Sequence, residues 1–150
     1  MQGLRQAFGA LILSPVYETE AEGFAGDPFL NLIAGIETKL TVGEIRTILR
    51  RIEAEHGRER GVECFVPRTL DLDLLTFGDR VGEFDGYRIP RDEILRYAFV
   101  LGPLADVAPE ERHPTAGRCY ATLWEQFLAR LRSERLAQHL AQRQTPASRD

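Results

Sequence analysis

Apolar and polar residues alternate strictly from Thr69 to Leu74, and a period of two marks a half-buried strand. Leu70, Leu72 and Leu74 then share one face, and Thr69, Asp71 and Asp73 share the other. Gly78-Asp79 supplies turn chemistry that closes the strand. Two earlier stretches also read as strands. In Ala10 to Thr19 the β-formers are Leu11, Leu13, Val16 and Tyr17; in Phe29 to Thr38, Leu30, Leu32, Ala34 and Ile36 face one way and Phe29, Asn31 and Ile33 the other. A turn and a short strand are expected over Val81 to Arg88.

Helical spacing governs the rest. Leu4, Ala7 and Phe8 form the last turns of a helix that should end at Gly9 in a left-handed cap. Thr41-Val42-Gly43-Glu44 fits a capping box, and Val42, Ile45, Ile48, Leu49 and Ile52 follow as a core-facing stripe, with Gly57 expected to end the helix. Pro90-Arg91-Asp92-Glu93 resembles a helix start, with Arg96, Tyr97 and Phe99 after it and Val100, Leu101, Leu104 and Val107 as core candidates. Pro109 to Gly117 is read as loop, and Tyr120 to about Leu140 as an amphipathic helix carrying Leu123, Trp124, Phe127, Leu128 and Leu131 on its apolar side. Glu20 to Pro28, with Gly23, Gly26 and the lone aromatic Phe24, reads as a surface loop. Residues 143–150 should fray, leaving one domain over 1–142.

Composition narrows the class. At 150 residues the chain can bury a core without disulfide staples, and its 43% hydrophobic and 28% charged content is that of a soluble globule. A net charge of −4 argues against a general nucleic-acid binder. Cys64 and Cys119 make no metal spacing and suit a reducing cytoplasm as packing residues, while His56, His113 and His139 are too scattered for zinc. Ala7 to Leu13 is interrupted by Gly9, stopped by Ser14-Pro15 and followed by no cleavage site, so it reads as helix running into strand rather than as a leader. No apolar run reaches membrane-spanning length.

The chemistry concentrates on the alternating stretch. Asp71 and Asp73 on one strand face would lie roughly 6–7 Å apart, because each residue advances a strand by about 3.3 Å. Their mutual repulsion invites a cation, and all-oxygen ligands suit Mg²⁺, which takes one or two carboxylates and completes its shell with water and phosphate. Arg68 lies just upstream, and Arg58 and Arg60 follow the second helix. Planar guanidinium forks match phosphate oxygens, so together they suggest a polyphosphate clamp. A solvated sheet face with surface ion pairs is the plainer alternative, but such pairs contribute only about 0–1 kcal/mol each, too little to account for the clustering. Asn31 interrupts an apolar strand, where its amide could bond either a heterocycle edge or a neighbouring backbone.

From Leu11 to about Leu123 the chain resembles the hydroxymethyl-dihydropterin pyrophosphokinases of folate biosynthesis. The resemblance is carried by Val16-Tyr17-Glu18-Thr19, Phe29-Leu30-Asn31, Ile36-Glu37-Thr38, Ile52-Glu53 through Gly57-Arg58-Glu59-Arg60, Phe99 to Leu104 and, most specifically, Pro67-Arg68-Thr69-Leu70-Asp71-Leu72-Asp73. It implies an α+β fold with a ferredoxin-like antiparallel sheet flanked by helices, and transfer of pyrophosphate from ATP to the pterin hydroxymethyl group with release of AMP. Asp71 and Asp73 would then hold two Mg²⁺ ions, and Arg58, Arg60 and Arg68 the triphosphate, with Arg58, Arg68 and the aspartates forming the catalytic set. Glu53, Leu74, Arg91 and Arg96 would add ATP contacts. Asn31 would read the pterin edge, Phe29 and Phe99 would stack on its ring, Thr19 would join that pocket, and Phe65 would sit where the family often has a tryptophan in a closing loop. The implied partners are these small molecules alone, acting on a cytoplasmic protein expected as a monomer, with a dimer compatible.

Three departures accompany the resemblance. Arg91 stands where the family usually has histidine. Tyr97 stands where it usually has arginine, with Arg96 one position early, a shift that turns a side chain by about 100° on a helix. The family's first strand, carrying Gly-Ser-Asn, has no counterpart before the first helix, so the natural product is expected either to be longer upstream or to fill that place with another segment. These departures motivate a competing reading, a relative that binds pterin or nucleotide without turnover.

Overall fold

The computed structural model describes residues 2–19, 29–59 and 70–144, with the backbone alone described at 19, 29, 58, 59 and 142–144. In chain order the elements are α1 (Gln2–Phe8), β1 (Ile12–Leu13), β2 (Tyr17–Thr19), β3 (Phe29–Asn31), β4 (Ala34–Gly35), α2 (Val42–Glu59), β5 (Gly82–Phe84), β6 (Tyr87–Ile89), α3 (Glu93–Arg96), α4 (Ala98–Val107) and α5 (Tyr120–Gln144). The class is α+β, as expected. Among the described residues the sheet consists of two-stranded antiparallel pieces, β1 with β4, β2 with β3 and β5 with β6.

The two long strands expected over 10–19 and 29–38 form one ribbon with an interruption. Leu13 pairs with Ala34 and Tyr17 with Asn31, so one strand takes four steps where its partner takes three. The extra residue is accommodated around Pro15, which has no N–H to give a ladder. Ser14 repairs the break: its N–H donates to the Ile33 carbonyl at 2.9 Å, and its buried hydroxyl accepts from the Ile33 N–H at 2.8 Å. The Val81 to Arg88 region is a full hairpin rather than a single strand. Its turn places Asp85 at φ 53° and Gly86 at φ 78°, the pair of positive values that matches the twist of a two-residue hairpin loop.

The helices follow the pattern with two corrections. Gly9 caps α1 at φ 80°, its N–H reaching the Arg5 carbonyl at 2.9 Å. Thr41 caps α2, its hydroxyl accepting from the Glu44 N–H at 3.2 Å, while the Glu44 side chain stays exposed. Gly57 does not end this helix, which runs on to Glu59. Nor does α5 stop near Leu140: it continues to Gln144, its last turns exposed as far as Ala141.

Two apolar clusters hold these pieces. Leu4 of α1 packs with Ile45, Leu49 and Ile52 of α2, and Ile94, Leu101, Leu104, Ala105 and Tyr120 bury the α3–α4–α5 side. Gly102 matters to the second, because a Cβ there would lie 3.0 Å from Trp124 and 3.1 Å from Tyr17. Its bare backbone lets α5 and β2 close on α4, and Tyr17 is then pinned by a 2.7 Å hydrogen bond from its hydroxyl to Asp106. Burial and the Asp106 carboxylate push the Tyr17 phenol up to about 12.

His113 organises the turn ahead of α5. Its buried Nδ1 accepts from the backbone N–H groups of Thr115 at 3.2 Å and Ala116 at 3.1 Å, which requires the neutral ring. Burial accordingly lowers its pKa below 6.5. The unfolded chain therefore takes up a proton that the folded one resists, so this contribution to stability is complete above the unfolded value and is lost as pH falls below it. Urea titrations across that window should show stability declining with acid, and His113→Asn, whose Oδ1 can accept the same amides without titrating, should flatten that limb; parallel curves for the two proteins would refute the assignment.

Candidate active site

The carboxylate-bearing segment has the predicted period but not the predicted ladder. Leu70, Leu72 and Leu74 are half-buried and Asp71 and Asp73 exposed, in strict alternation, yet residues 70–77 belong to no strand among the described residues. The period reports one-sided burial, and here a helical surface supplies it: the three leucines and Phe77 pack on the α1–α2 cluster. A ladder needs an edge partner as well, and that is a separate requirement.

The β5–β6 hairpin and the residues after it tie the segment down. The Tyr87 hydroxyl donates to the Leu74 carbonyl at 2.8 Å, and the Arg91 N–H donates to the next carbonyl, that of Leu75, at 3.0 Å. The Tyr87 ring carries two cations, the Arg46 guanidinium carbon 4.0 Å from its centroid and that of Arg91 4.9 Å from it. Arg91 in turn gives Nε and Nη2 to the two Glu93 oxygens at 3.1 and 3.2 Å. Burial raises the Tyr87 phenol, with Arg91 working against the shift and Asp73 adding to it. At Arg91 burial opposes the charge, but the Glu93 hydrogen bond, followed by Tyr87, Glu93 and Asp73 electrostatics, outweighs it and raises the pKa. Asp73 thus acts electrostatically on a cationic, aromatic cluster that the local pattern did not reveal. Arg46 and Tyr87 are functional candidates missed by sequence reasoning; Tyr87 carried only the signal of an aromatic in a short strand.

The other expected site residues divide by location. Arg58 is described only in its backbone, at the end of α2, as are Thr19 and Phe29 in β2 and β3; Arg60, Phe65, Arg68 and the loop aromatic Phe24 lie outside the described residues. Glu53 is half-buried on α2, and Asn31 is half-buried in β3 opposite Tyr17. Phe99, half-buried, stacks on Tyr97 with centroids 5.1 Å apart, and Arg96 stands 5.9 Å over the same Tyr97 ring. The expected helical turn between Arg96 and Tyr97 does not exist, because Tyr97 is extended at φ −121° and ψ 127° and separates α3 from α4. An open groove of about 830 Å³ runs along the first half of α2, lined by Thr41, Gly43, Glu44, Arg46, Thr47, Ile48, Arg50 and Asp85. Arg46 joins this groove to Tyr87.

Among the described residues no group of three or more His, Cys, Asp or Glu side chains could enclose a metal. Asp71 and Asp73 are exposed carboxylates, the donor type that hard cations take. No helix of the described residues is long and apolar enough to cross a membrane.

Comparison with known proteins decides the family. Residues 1–109 match the profile of the 7,8-dihydro-6-hydroxymethylpterin-pyrophosphokinases. The chain belongs to this family. It is similar to the 2-amino-4-hydroxy-6-hydroxymethyldihydropteridine pyrophosphokinase of Pseudomonas aeruginosa, 40% identical over 68% of this chain and 63% of that protein. The enzymes of the same name from Synechocystis and Bacillus subtilis are 36% and 35% identical, over 73% and 65% of this chain and 56% and 59% of their own lengths. The chain thus spans less than two thirds of these relatives. The family match contains Asp71, Asp73, Tyr87 and Arg91 and stops before α5.

The leucine face should be measurable as stability. Leu72→Ala is expected to lower the unfolding free energy by about 1–3 kcal/mol, less than the 2–5 typical of a fully buried leucine because Leu72 is only half-buried. Guanidinium titration checks this; a loss under a few tenths would mean that the segment is not anchored by its apolar side.

Proposed function

We propose that the chain transfers pyrophosphate from ATP to the hydroxymethyl oxygen of 6-hydroxymethyl-7,8-dihydropterin, releasing AMP, as a Mg²⁺-dependent, cytoplasmic monomer of folate biosynthesis. The observation that carries this reading is the exposed Asp71 and Asp73 pair, packed down by its leucines, with Asp73 coupled electrostatically to Arg91 within the region that matches the family.

The hydroxymethyl oxygen attacks the β-phosphorus in line; a new O–P bond forms, the bond to the α–β bridging oxygen breaks with its electron pair leaving on AMP, and the hydroxyl proton passes to water. Asp71 and Asp73 would hold Mg²⁺, two ions in all, which when bound would offset charge on the phosphate oxygens. Arg58, Arg60 and Arg68 would fix the triphosphate through charge-assisted forks, and Arg91 would add a cation from the hairpin side. Glu53, Leu74 and Arg96 complete the proposed nucleotide contacts. Thr19, Phe29, Asn31, Phe65 and Phe99 would form the pterin pocket, with Asn31 pairing to the heterocycle edge and the rings stacking on its faces.

Incubation with ATP, Mg²⁺ and hydroxymethyl-dihydropterin should yield AMP and pterin diphosphate in equal amounts. Asp73→Ala should lose activity by about 100-fold or more, the scale on which an electrostatic stabiliser of a transition state is felt. AMP formation at the wild-type rate in that variant would overturn the role given to the carboxylate pair.

A further inference from the structure

Arg91 stands where the family usually has histidine, and a long guanidinium side chain is a poor substitute unless something holds it. A free arginine loses considerable rotamer entropy when fixed on a phosphate, and that loss weakens binding. In this fold it is already fixed. Its backbone N–H is bonded to Leu75, its fork is turned onto Glu93, and its guanidinium carbon lies 4.9 Å from the Tyr87 centroid. Tyr87 is itself tied to the Asp73 segment through the Leu74 carbonyl and carries Arg46 at 4.0 Å. Two of the five N–H donors of Arg91 go to Glu93, and the others can turn to an anion.

We infer that Tyr87 is a positioning residue, holding Arg91 at the Leu74–Leu75 end of the carboxylate segment so that its guanidinium meets the phosphates of the nucleotide. The inference rests on the pyrophosphokinase reading above. The ring face restricts Arg91 to one orientation, Glu93 balances its charge against Arg46 on the same ring, and the hydroxyl keeps the assembly in register with the carboxylate segment. Tyr87 touches no substrate in this scheme. Its removal should therefore act on the nucleotide alone and only through Arg91.

The test uses the full chain, with ATP and pterin varied separately and α,β-methylene-ATP as a binding probe that cannot be cleaved at the reacting bridge. Tyr87→Leu is expected to raise KM for ATP and Kd for the analogue about tenfold while KM for the pterin stays within about twofold, and Tyr87→Phe, which keeps the ring, should recover most of the loss. Arg91→Met should match Tyr87→Leu, and the double variant should be no worse than either alone, since both remove one interaction. Additive losses, or equal rises in both KM values, would overturn the inference and leave a merely structural tyrosine. Should Tyr87→Leu melt below the assay temperature, Tyr87→Met takes its place in the cycle. A wild-type chain that binds the analogue but forms no AMP would overturn the pyrophosphokinase reading, with the binding cycle still deciding the role of Tyr87. A wild-type chain that does not bind the analogue would overturn both.

Discussion

One contact supports everything else at the site: the leucine face of residues 70–74 laid against the α1–α2 cluster. A segment without ladder partners among the described residues has little to resist fraying, because its backbone groups can bond water as readily as protein. Burial of one side supplies the resistance instead, and it does so in a way that dictates the opposite side. Every residue between two anchored leucines must point outward, so Asp71 and Asp73 are exposed together as a consequence of where the leucines go.

The hairpin supplies what that contact cannot, a lateral restraint and a counter-charge. Adjacent carbonyls of Leu74 and Leu75 are taken up by Tyr87 and Arg91, so the end of the segment is satisfied by a side chain and a loop amide rather than by a neighbouring strand. The same two residues bring a ring and a guanidinium to the segment that carries Asp73. Stability and chemistry are therefore joined here: the groups that close the hydrogen-bonding of the segment are also those that shape its electrostatics. The positive-φ turn at Asp85-Gly86 matters for this reason, since it fixes the register that places Tyr87.

Two positions depart from what the family resemblance implies. Arg91 in the histidine position is neither loose nor merely exposed, because Glu93 and Tyr87 hold it. Tyr97 in the arginine position does something different from what a helical register implied. Its extended backbone ends α3, its ring stacks on Phe99, and Arg96 folds back over it. One departure leaves a cation whose backbone is tied to the end of the carboxylate segment, and the other builds an aromatic surface next to a residue that the family resemblance assigns to the pterin.

Periodicity and capping residues alone determined the Val42–Ile52 stripe, the Gly9 and Thr41 caps, and the leucine–aspartate alternation, all with local causes in side-chain direction and unsatisfied helix ends. The same local information left open how far α2 runs past Gly57, since a glycine weakens a helix without ending it, and where Pro15 breaks the ribbon that Ser14 mends. Tertiary structure decided whether the alternating stretch would be a laddered strand, because alternation records burial on one side and says nothing about a partner for the backbone. It also decided that Arg46, Tyr87 and Arg91 would share one ring. That grouping comes from α2 and the hairpin packing together, and a contact between residues so far apart in the chain leaves no trace in the spacing of either.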